Sequence, residues 1–151
     1  MDMTPDNAFI EICESKKIGY NILTQFQSWR VAVINNGEEL IPDPVIEMQK
    51  HDLTDEAFIL IKGKCVLAIA DGEDAPENIT LIRMESQKLY NVKRSVWHAC
   101  IRFPDSAVIV VENSETSLSN SPVAPLTTQQ VIELRENLST LNETYMRYFE
   151  E

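Results

Sequence analysis

The chain has 151 residues, 44% hydrophobic and 25% charged, which is typical of one globular domain and excludes an intrinsically disordered chain. Its 13 basic and 24 acidic residues leave a net charge of −11, which repels phosphate backbones and anionic lipids and argues against nucleic-acid and membrane partners. No apolar stretch approaches the ~18 residues of a membrane helix, and the polar start does not resemble a secretory signal. Because Cys13, Cys65 and Cys100 lie far apart, we expect reduced thiols and a cytoplasmic location.

The N-terminal part differs in pattern from the rest of the chain. Residues 5–27 mix polar and apolar positions, and we predict a short strand or helical turn there, followed by a helix-like stretch. From Ser28 onward, short β-branched runs alternate with turn residues, which predicts strands. The predicted strands are Trp29 to Ile34, Val45 to His51, Ala57 to Ile61, Cys65 to Ala70, Ile79 to Met84, Lys88 to Val92, Val96 to Phe103 and Ala107 to Glu112.

Turn residues between these strands indicate how they are connected. Pro42 and Pro44 mark an extended loop, because proline cannot donate a hydrogen bond to a strand ladder. Residues 104–106 (Pro-Asp-Ser) are expected to close a hairpin between the last two predicted strands. Many short strands with little helix predict an all-β fold, an antiparallel barrel or sandwich over residues 29–113.

The composition changes towards the C-terminus. Residues 114–126 are rich in Ser, Asn, Thr and Pro, which predicts an extended surface strap. Residues 127–149 follow a helical period, and Thr127 with Gln130 can form a capping box at the start of this helix. Its apolar stripe is expected to pack on the barrel or on a second copy of the chain. The stripe consists of Val131, Leu134, Leu138, Leu141 and Tyr145. With no interdomain linker in the sequence, we predict one domain over residues 1–151.

Two stretches in the middle of the chain place polar side chains on predicted strand faces. Alternation along a strand puts Glu47, Gln49 and His51 on one face. A strand that begins near Glu56 would direct this carboxylate to the same side as Phe58. Imidazole and carboxylate groups from such separate strands can converge inside one barrel.

A later predicted strand contributes a third set of side chains. His98 shares its face with Cys100 and Arg102. We expect Cys100 to be a small buried side chain rather than a nucleophile. Arg102 either clamps a carboxylate or phosphate in the pocket or forms a salt bridge at its rim. His98 can converge with His51 and Glu56, although the three groups come from separate strands.

The pocket residues resemble the first sequence motif of the cupin superfamily, G-x5-H-x-H-x(3,4)-E-x6-G. The string Gln49-x-His51-x4-Glu56-x6-Gly63 matches the core of this motif. Two positions depart from it, because Gln49 stands where the first histidine is usual and Asp43 replaces the leading glycine.

The second cupin motif, G-x5-P-x-G-x2-H-x3-N, is similar to the stretch that contains His98. Here Gln87 and Ser95 stand at the two glycine positions, Lys93 at the proline position and Arg102 at the asparagine position. The two motifs together imply a cupin-type antiparallel β-barrel or jelly roll, with a short N-terminal segment and one C-terminal α-helix outside it.

The resemblance also implies a ligand set. In cupins that bind metal, two histidines and a glutamate of the first motif and the histidine of the second hold a divalent ion. Carried over, the implied ligands are His51, Glu56 and His98, with Gln49 in the fourth position. Such a set suits iron, manganese, nickel or zinc and leaves positions open for a substrate. Alternatively, the pocket is metal-free and these residues bind or protonate a ligand directly, or they are satisfied core residues.

Two classes of function follow from the resemblance. The first is a metal-dependent enzyme of the isomerase, lyase or oxygenase type that acts on a small polar metabolite, a sugar or a carboxylic acid. The second is a small-molecule binding or sensing module without metal or catalysis. Further pocket candidates are Glu47, Phe58, Cys100 and Arg102, and no catalytic residue is singled out. Because barrels of this class leave an open sheet edge or face, which Trp29 and the helix stripe can cover, we predict a homodimer.

Overall fold

The computed structural model describes residues 9–37 and 45–147 and contains two antiparallel sheets and one helix. In chain order the strands are β1 (Gly19–Phe26), β2 (Trp29–Asn35), β3 (Glu47–Gln49), β4 (Glu56–Lys62), β5 (Cys65–Asp71), β6 (Glu77–Arg83), β7 (Leu89–Val92), β8 (Trp97–Arg102), β9 (Ala107–Asn113) and β10 (Val123–Pro125). A 3₁₀ turn, Leu118–Asn120, precedes β10, and helix α1 (Thr128–Arg147) follows it.

In the described part of the chain, each sheet has five strands that come from distant parts of the sequence. The first sheet has the order β1-β2-β9-β4-β7, and the second has the order β10-β3-β8-β5-β6. The prediction of an all-β jelly roll with a C-terminal helix is therefore confirmed. The crossovers bring the start of β4 and the start of β8, which carry Glu56 and His98, into facing sheets.

Apolar side chains fill two layers. The inner layer lies between the two sheets and contains alternate residues of β4 and β9, such as Phe58 and Val110, packed with residues of β5, such as Leu67. The outer layer lies between the second sheet and α1 and contains Trp97 and Leu134. Because the second sheet is covered on both faces, nearly every position of β5 is buried, which explains its continuous apolar run.

Helix α1 begins as the sequence predicts. The Gln130 backbone N–H donates to the Thr127 hydroxyl over 3.2 Å, and the Thr127 N–H donates to the Gln130 side-chain oxygen over 2.9 Å, so the capping box is formed. The stripe residues Val131, Leu134 and Leu138 pack against the second sheet together with Leu141. The side chain of Tyr145 and residues 148 and 149 of the predicted helix lie outside the described part.

The prediction for residues 5–27 was wrong in its second half. Residues 19–26 form β1, which pairs with β2 along its length, and a register shift between Ile22 and Thr24 interrupts the pairing. That bulge breaks the period of two that identifies a strand, so the apolar positions resemble a helical pattern. The first sheet thus begins ten residues before the predicted start at Trp29. Residues 5–8 lie outside the described part.

The predicted hairpin of the last two strands was also wrong. Strand β8 pairs with β3 and β5 in the second sheet, whereas β9 pairs with β2 and β4 in the first. Residues 104–106 therefore connect the two sheets rather than close a hairpin. The predicted strap is extended, but its end forms β10, which pairs with β3 at the sheet edge. The predicted loop at Pro42 and Pro44, and Asp43 between them, lie outside the described residues.

Three positions at which the cupin motifs usually have glycine adopt a left-handed backbone conformation in this protein. Gly63 has φ of 73°, and a side chain there would lie 2.8 Å from the Asp105 carbonyl oxygen. At the two glycine positions of the second motif, Gln87 has φ of 65° and Ser95 has φ of 63°. The turn geometry therefore persists where glycine does not, at a cost in backbone strain.

Within the described residues, no helix is both long and apolar enough to span a membrane.

Candidate functional site

The centre of the site is a buried carboxylate between two imidazoles. Glu56 starts β4 in the first sheet, His98 lies in β8 of the facing sheet, and His51 lies just after β3. The Glu56 Oε2 atom is 3.0 Å from His51 Nε2 and 2.8 Å from His98 Nε2. At most 6% of any of the three residues is exposed. The structure thus brings together the three residues that the motif implies as ligands.

The outer nitrogens of both rings have partners that fix their orientation. His98 Nδ1 lies 2.9 Å from the Val96 carbonyl oxygen, which can only accept, so this nitrogen carries a hydrogen. His51 Nδ1 lies 2.7 Å from the Ser121 hydroxyl, which donates its own hydrogen to the Asn120 side-chain oxygen. While the hydroxyl hydrogen points to Asn120, His51 Nδ1 is the donor in that pair. In a neutral ring, each Nε2 then directs a lone pair at Glu56.

Because Glu56 is negatively charged, a positive charge is needed between its carboxylate and the ring nitrogens. Burial raises the pKa of the Glu56 carboxyl, but hydrogen bonds from His51 and His98 outweigh burial and lower it to about 2. Burial likewise lowers the pKa of the His51 imidazole, yet the hydrogen bond and charge of Glu56 reverse this and raise it above its ordinary value. An ionised carboxylate and a ring lone pair repel, so either a proton or a metal ion must lie between them.

The donor set fits a divalent ion. The candidate ligand atoms of His51, Glu56 and His98 all lie within 4.8 Å of one another. Bonds of about 2.0–2.2 Å at angles of about 90–110° separate neighbouring donors by about 3 Å, which is the spacing between Oε2 and each Nε2. The Nδ1 hydrogen bonds are the outer partners that orient histidine ligands in metal sites.

A cavity of about 330 Å³ adjoins the three residues. This volume is at the lower end of the roughly 300–1,000 Å³ of small-molecule sites. It is bounded by both sheets and by the strap after β9. The lining residues are Tyr20, Arg30, Ile34, Gln49, His51, Glu56, Phe58, His98, Cys100, Arg102, Glu112, Thr116, Ser117, Leu118 and Ser121.

Four further pocket candidates line the cavity and one does not. Gln49 is the register partner of His98, and Phe58 packs edge-on to the His98 ring with centroids 6.0 Å apart. Cys100 and Arg102 follow His98 on the same strand face. Glu47 is exposed and is not among the lining residues, because β3 is only three residues long and ends at the cavity with Gln49.

Sequence reasoning missed an ion pair in the same cavity. Arg30 Nη2 lies 2.9 Å from Glu112 Oε1, and the Tyr20 hydroxyl donates to the same oxygen over 2.6 Å. Burial and the Glu112 carboxylate raise the pKa of Tyr20, so its hydroxyl stays protonated. The sequence does contain a signal for a buried carboxylate, because Glu112 follows Val108 and Val110 on an apolar strand face. Its partners lie 82 and 92 residues away, and no local spacing could identify them.

Comparisons with known proteins agree with this fold. No protein-family model and no curated protein matches the chain. A Streptomyces PAC13 variant solved with uridine superposes with a TM-score of 0.51 at 8% identity, covering 77% of this chain and 86% of that one. BH2720 from Bacillus halodurans gives a TM-score of 0.51 at 8% identity over 66% and 73% of the two chains.

A cupin-2 domain protein from Shewanella frigidimarina matches with a TM-score of 0.48 at 15% identity, covering 66% of this chain and 84% of that one. The resemblance that the motifs indicate and the observed two-sheet jelly roll agree: the chain has a cupin-type fold.

Proposed function

We propose that this protein binds a divalent metal ion through His51, Glu56 and His98 and handles a small polar metabolite in the adjoining cavity. The observation that carries the proposal is the convergence of two ring nitrogens on one ionised carboxylate oxygen, at 3.0 and 2.8 Å. A neutral His98 ring, whose Nδ1 donates to the Val96 carbonyl oxygen, directs its Nε2 lone pair inward. Iron, manganese, nickel and zinc all suit two imidazoles and one carboxylate.

The neighbouring side chains define what a bound metabolite would meet. Gln49 offers a neutral amide beside His98, in the fourth position of the motif. Phe58 packs edge-on against the His98 ring and presents an apolar group beside it. A bound ion would supply Lewis-acid polarisation of a carbonyl or hydroxyl oxygen. We infer a sugar or a carboxylic acid as the substrate class and a reaction of the isomerase, lyase or oxygenase type.

The second candidate function is a metal-free binding pocket. It is favoured by the raised pKa of His51, because a protonated ring satisfies Glu56 without a metal. In this state, the two imidazoles and Glu56 would hold a polar ligand by hydrogen bonds alone. The two candidates differ in what neutralises Glu56, a metal ion or protons, and metal content distinguishes them.

The test is metal content, measured by plasma mass spectrometry on protein purified without chelators or metal-affinity steps. We expect near-stoichiometric metal in the wild type and at least tenfold less in His51→Ala, Glu56→Ala and His98→Ala. Gln49→Ala should retain most of its metal, since a neutral amide adds little to divalent binding. Glu47→Ala is the matched control, because it removes an exposed carboxylate outside the cavity.

Circular dichroism of each variant verifies that the fold is kept. Equal metal content in all variants, or a wild type without metal after supplementation with each of the four ions, would contradict the metal site and leave the metal-free pocket.

A further inference from the structure

The cavity has an uneven distribution of charge. Arg30 and Glu112 neutralise each other at 2.9 Å, and Glu56 is held by the two histidines. Among the described lining residues, the remaining charged side chain is that of Arg102. No ion pair joins it to an acidic group among the described residues. The protein has a net charge of −11, yet this cavity contains a guanidinium that forms no ion pair with any described side chain.

Arg102 also has an unused donor. Its Nε atom is buried and has no hydrogen-bond partner, although buried polar atoms in proteins are nearly always paired. Within the described residues, the other buried side-chain polar atom without a partner is Thr116 Oγ1, which lines the same cavity. Both unpaired atoms therefore belong to one site. Such atoms are satisfied when a ligand supplies the missing partner.

Arg102 is separated from the candidate metal ligands. It lies four residues beyond His98 on the same face of β8, about 13 Å along the strand. Cys100 lies between them, and Cys65 is the register partner of Arg102. A ligand that reaches both ends of the cavity must have two polar ends.

We propose that Arg102 is an anion subsite that binds the carboxylate or phosphate group of the metabolite through its Nε–H and one Nη–H. This proposal rests on one part of the proposed function, namely that a small metabolite binds in the cavity. The side-on edge of a guanidinium presents two parallel donors that match the two oxygens of either anion. The metabolite class is thus narrowed from any polar molecule to a small organic acid or a phosphorylated compound.

The experiment titrates the full-length, metal-free protein, labelled with ¹⁵N, with sodium acetate and separately with inorganic phosphate. The readout is the side-chain Nε–Hε resonance of Arg102, identified by its absence from Arg102→Gln. We expect a saturable shift with at least one anion and none with chloride at equal ionic strength. Acetate alone would indicate an organic acid, and phosphate alone a phosphorylated metabolite.

Variants separate the subsite from the metal site. Backbone amide shifts of the lining residues report binding in Arg102→Gln, in which we expect at least tenfold weaker affinity for the anion. Arg94→Gln is the matched control, since it removes the same charge from an exposed position, and it should bind as the wild type does. Arg102→Lys keeps the charge but lacks the two-donor edge, so its affinity for the anion should lie between those of the wild type and Arg102→Gln.

Metal content should be unchanged in Arg102→Gln, and anion binding should survive in His98→Ala. A metal site that fails while the anion binds would refute the proposed function alone. Absence of a saturable shift in the wild type, or equal affinity in Arg102→Gln and Arg94→Gln, would overturn the subsite. Wild-type affinity in Arg102→Lys would overturn its two-donor geometry.

Discussion

One oxygen atom, Glu56 Oε2, holds both histidines of the site. Because each ring has a hydrogen-bond partner at Nδ1, Ser121 for His51 and the Val96 carbonyl oxygen for His98, the rings cannot turn away from Glu56 without losing that bond. Replacing the carboxylate therefore affects more than one ligand position. It also removes the charge that raises the pKa of His51.

The stability of the metal-free protein should depend on pH through this pair. The pKa of Glu56 falls from 4.5 to about 2 on folding, so its contribution of about 3 kcal/mol is present above pH 4.5 and is lost as pH falls towards 2. The pKa of His51 rises from 6.5, so its contribution is complete below pH 6.5 and is lost as pH rises through the raised value. We expect maximal stability between about pH 4.5 and 6.5.

Urea unfolding of chelator-treated protein at a series of pH values measures this dependence. Glu56→Gln should flatten the profile on both sides of the maximum, whereas the exposed-site control Glu47→Gln should keep it. A profile that is the same in wild type and Glu56→Gln would contradict the assignment of this pH dependence to the His51–Glu56 pair.

Backbone strain at Gln87 offers a stabilising substitution. Gln87 is exposed in the turn between β6 and β7 and has φ of 65°. Glycine adopts this conformation without strain, although it loses more backbone entropy on folding. We expect Gln87→Gly to raise the free energy of unfolding by about 0.5–1 kcal/mol, measured as a higher urea midpoint. Asn91→Gly, on an exposed strand position, should instead destabilise the protein.

Helix α1 stabilises the fold by covering the second sheet. Leu134 is 3% exposed and packs in the outer layer. We expect Leu134→Ala to lower the free energy of unfolding by about 2–4 kcal/mol, measured by urea denaturation. Thr127→Ala, which removes the cap, should lower it by about 1 kcal/mol. Ile132→Ala, on the exposed side of the same helix, is the control. Equal effects of Leu134→Ala and Ile132→Ala would contradict the packing of this stripe.

The elements that the sequence predicts are those whose signals are local. Alternation in β4 and the capping box of α1 depend on neighbouring residues, and both are formed as predicted. Strand β1 was missed because a bulge after Ile22 interrupts its period. The partners of β8 and β9 were missed because turn residues show where a chain reverses but not which sheet it enters.

As with the strands, only the part of the site that follows a local spacing could be predicted. Its three central residues follow a motif spacing, but Arg30, Tyr20 and Ser121 reach the cavity through strands and a strap far away in sequence.

The first sheet has apolar side chains on its outer face. Trp29 is 43% exposed and Leu89 is 61% exposed, and Phe26 packs near Trp29 with ring centroids 6.4 Å apart. Exposed aromatic and aliphatic groups on a sheet face favour association with a second copy. The homodimer stays a prediction.

Sedimentation equilibrium at micromolar concentration should give about twice the chain mass of 17.2 kDa. Trp29→Glu should give the monomer mass, while Leu53→Glu, which changes an exposed leucine in the loop before β4, should not. A wild-type monomer would refute the prediction.

The strap after β9 would have to accompany the barrel if the site were transferred to another protein by recombination. Arg30 donates to the carbonyl oxygens of Ser114 and Thr116, and the Ser121 hydroxyl is hydrogen-bonded to His51 Nδ1. The strap contains none of the implied metal ligands, yet it supplies the Nδ1 hydrogen-bond partner of one of them. A recombinant barrel with a strap from another protein would keep this partner of His51 only if the new strap also places a hydroxyl there. A segment that transfers the whole site therefore includes the strap as well as strands β1 to β9, which end at Asn113.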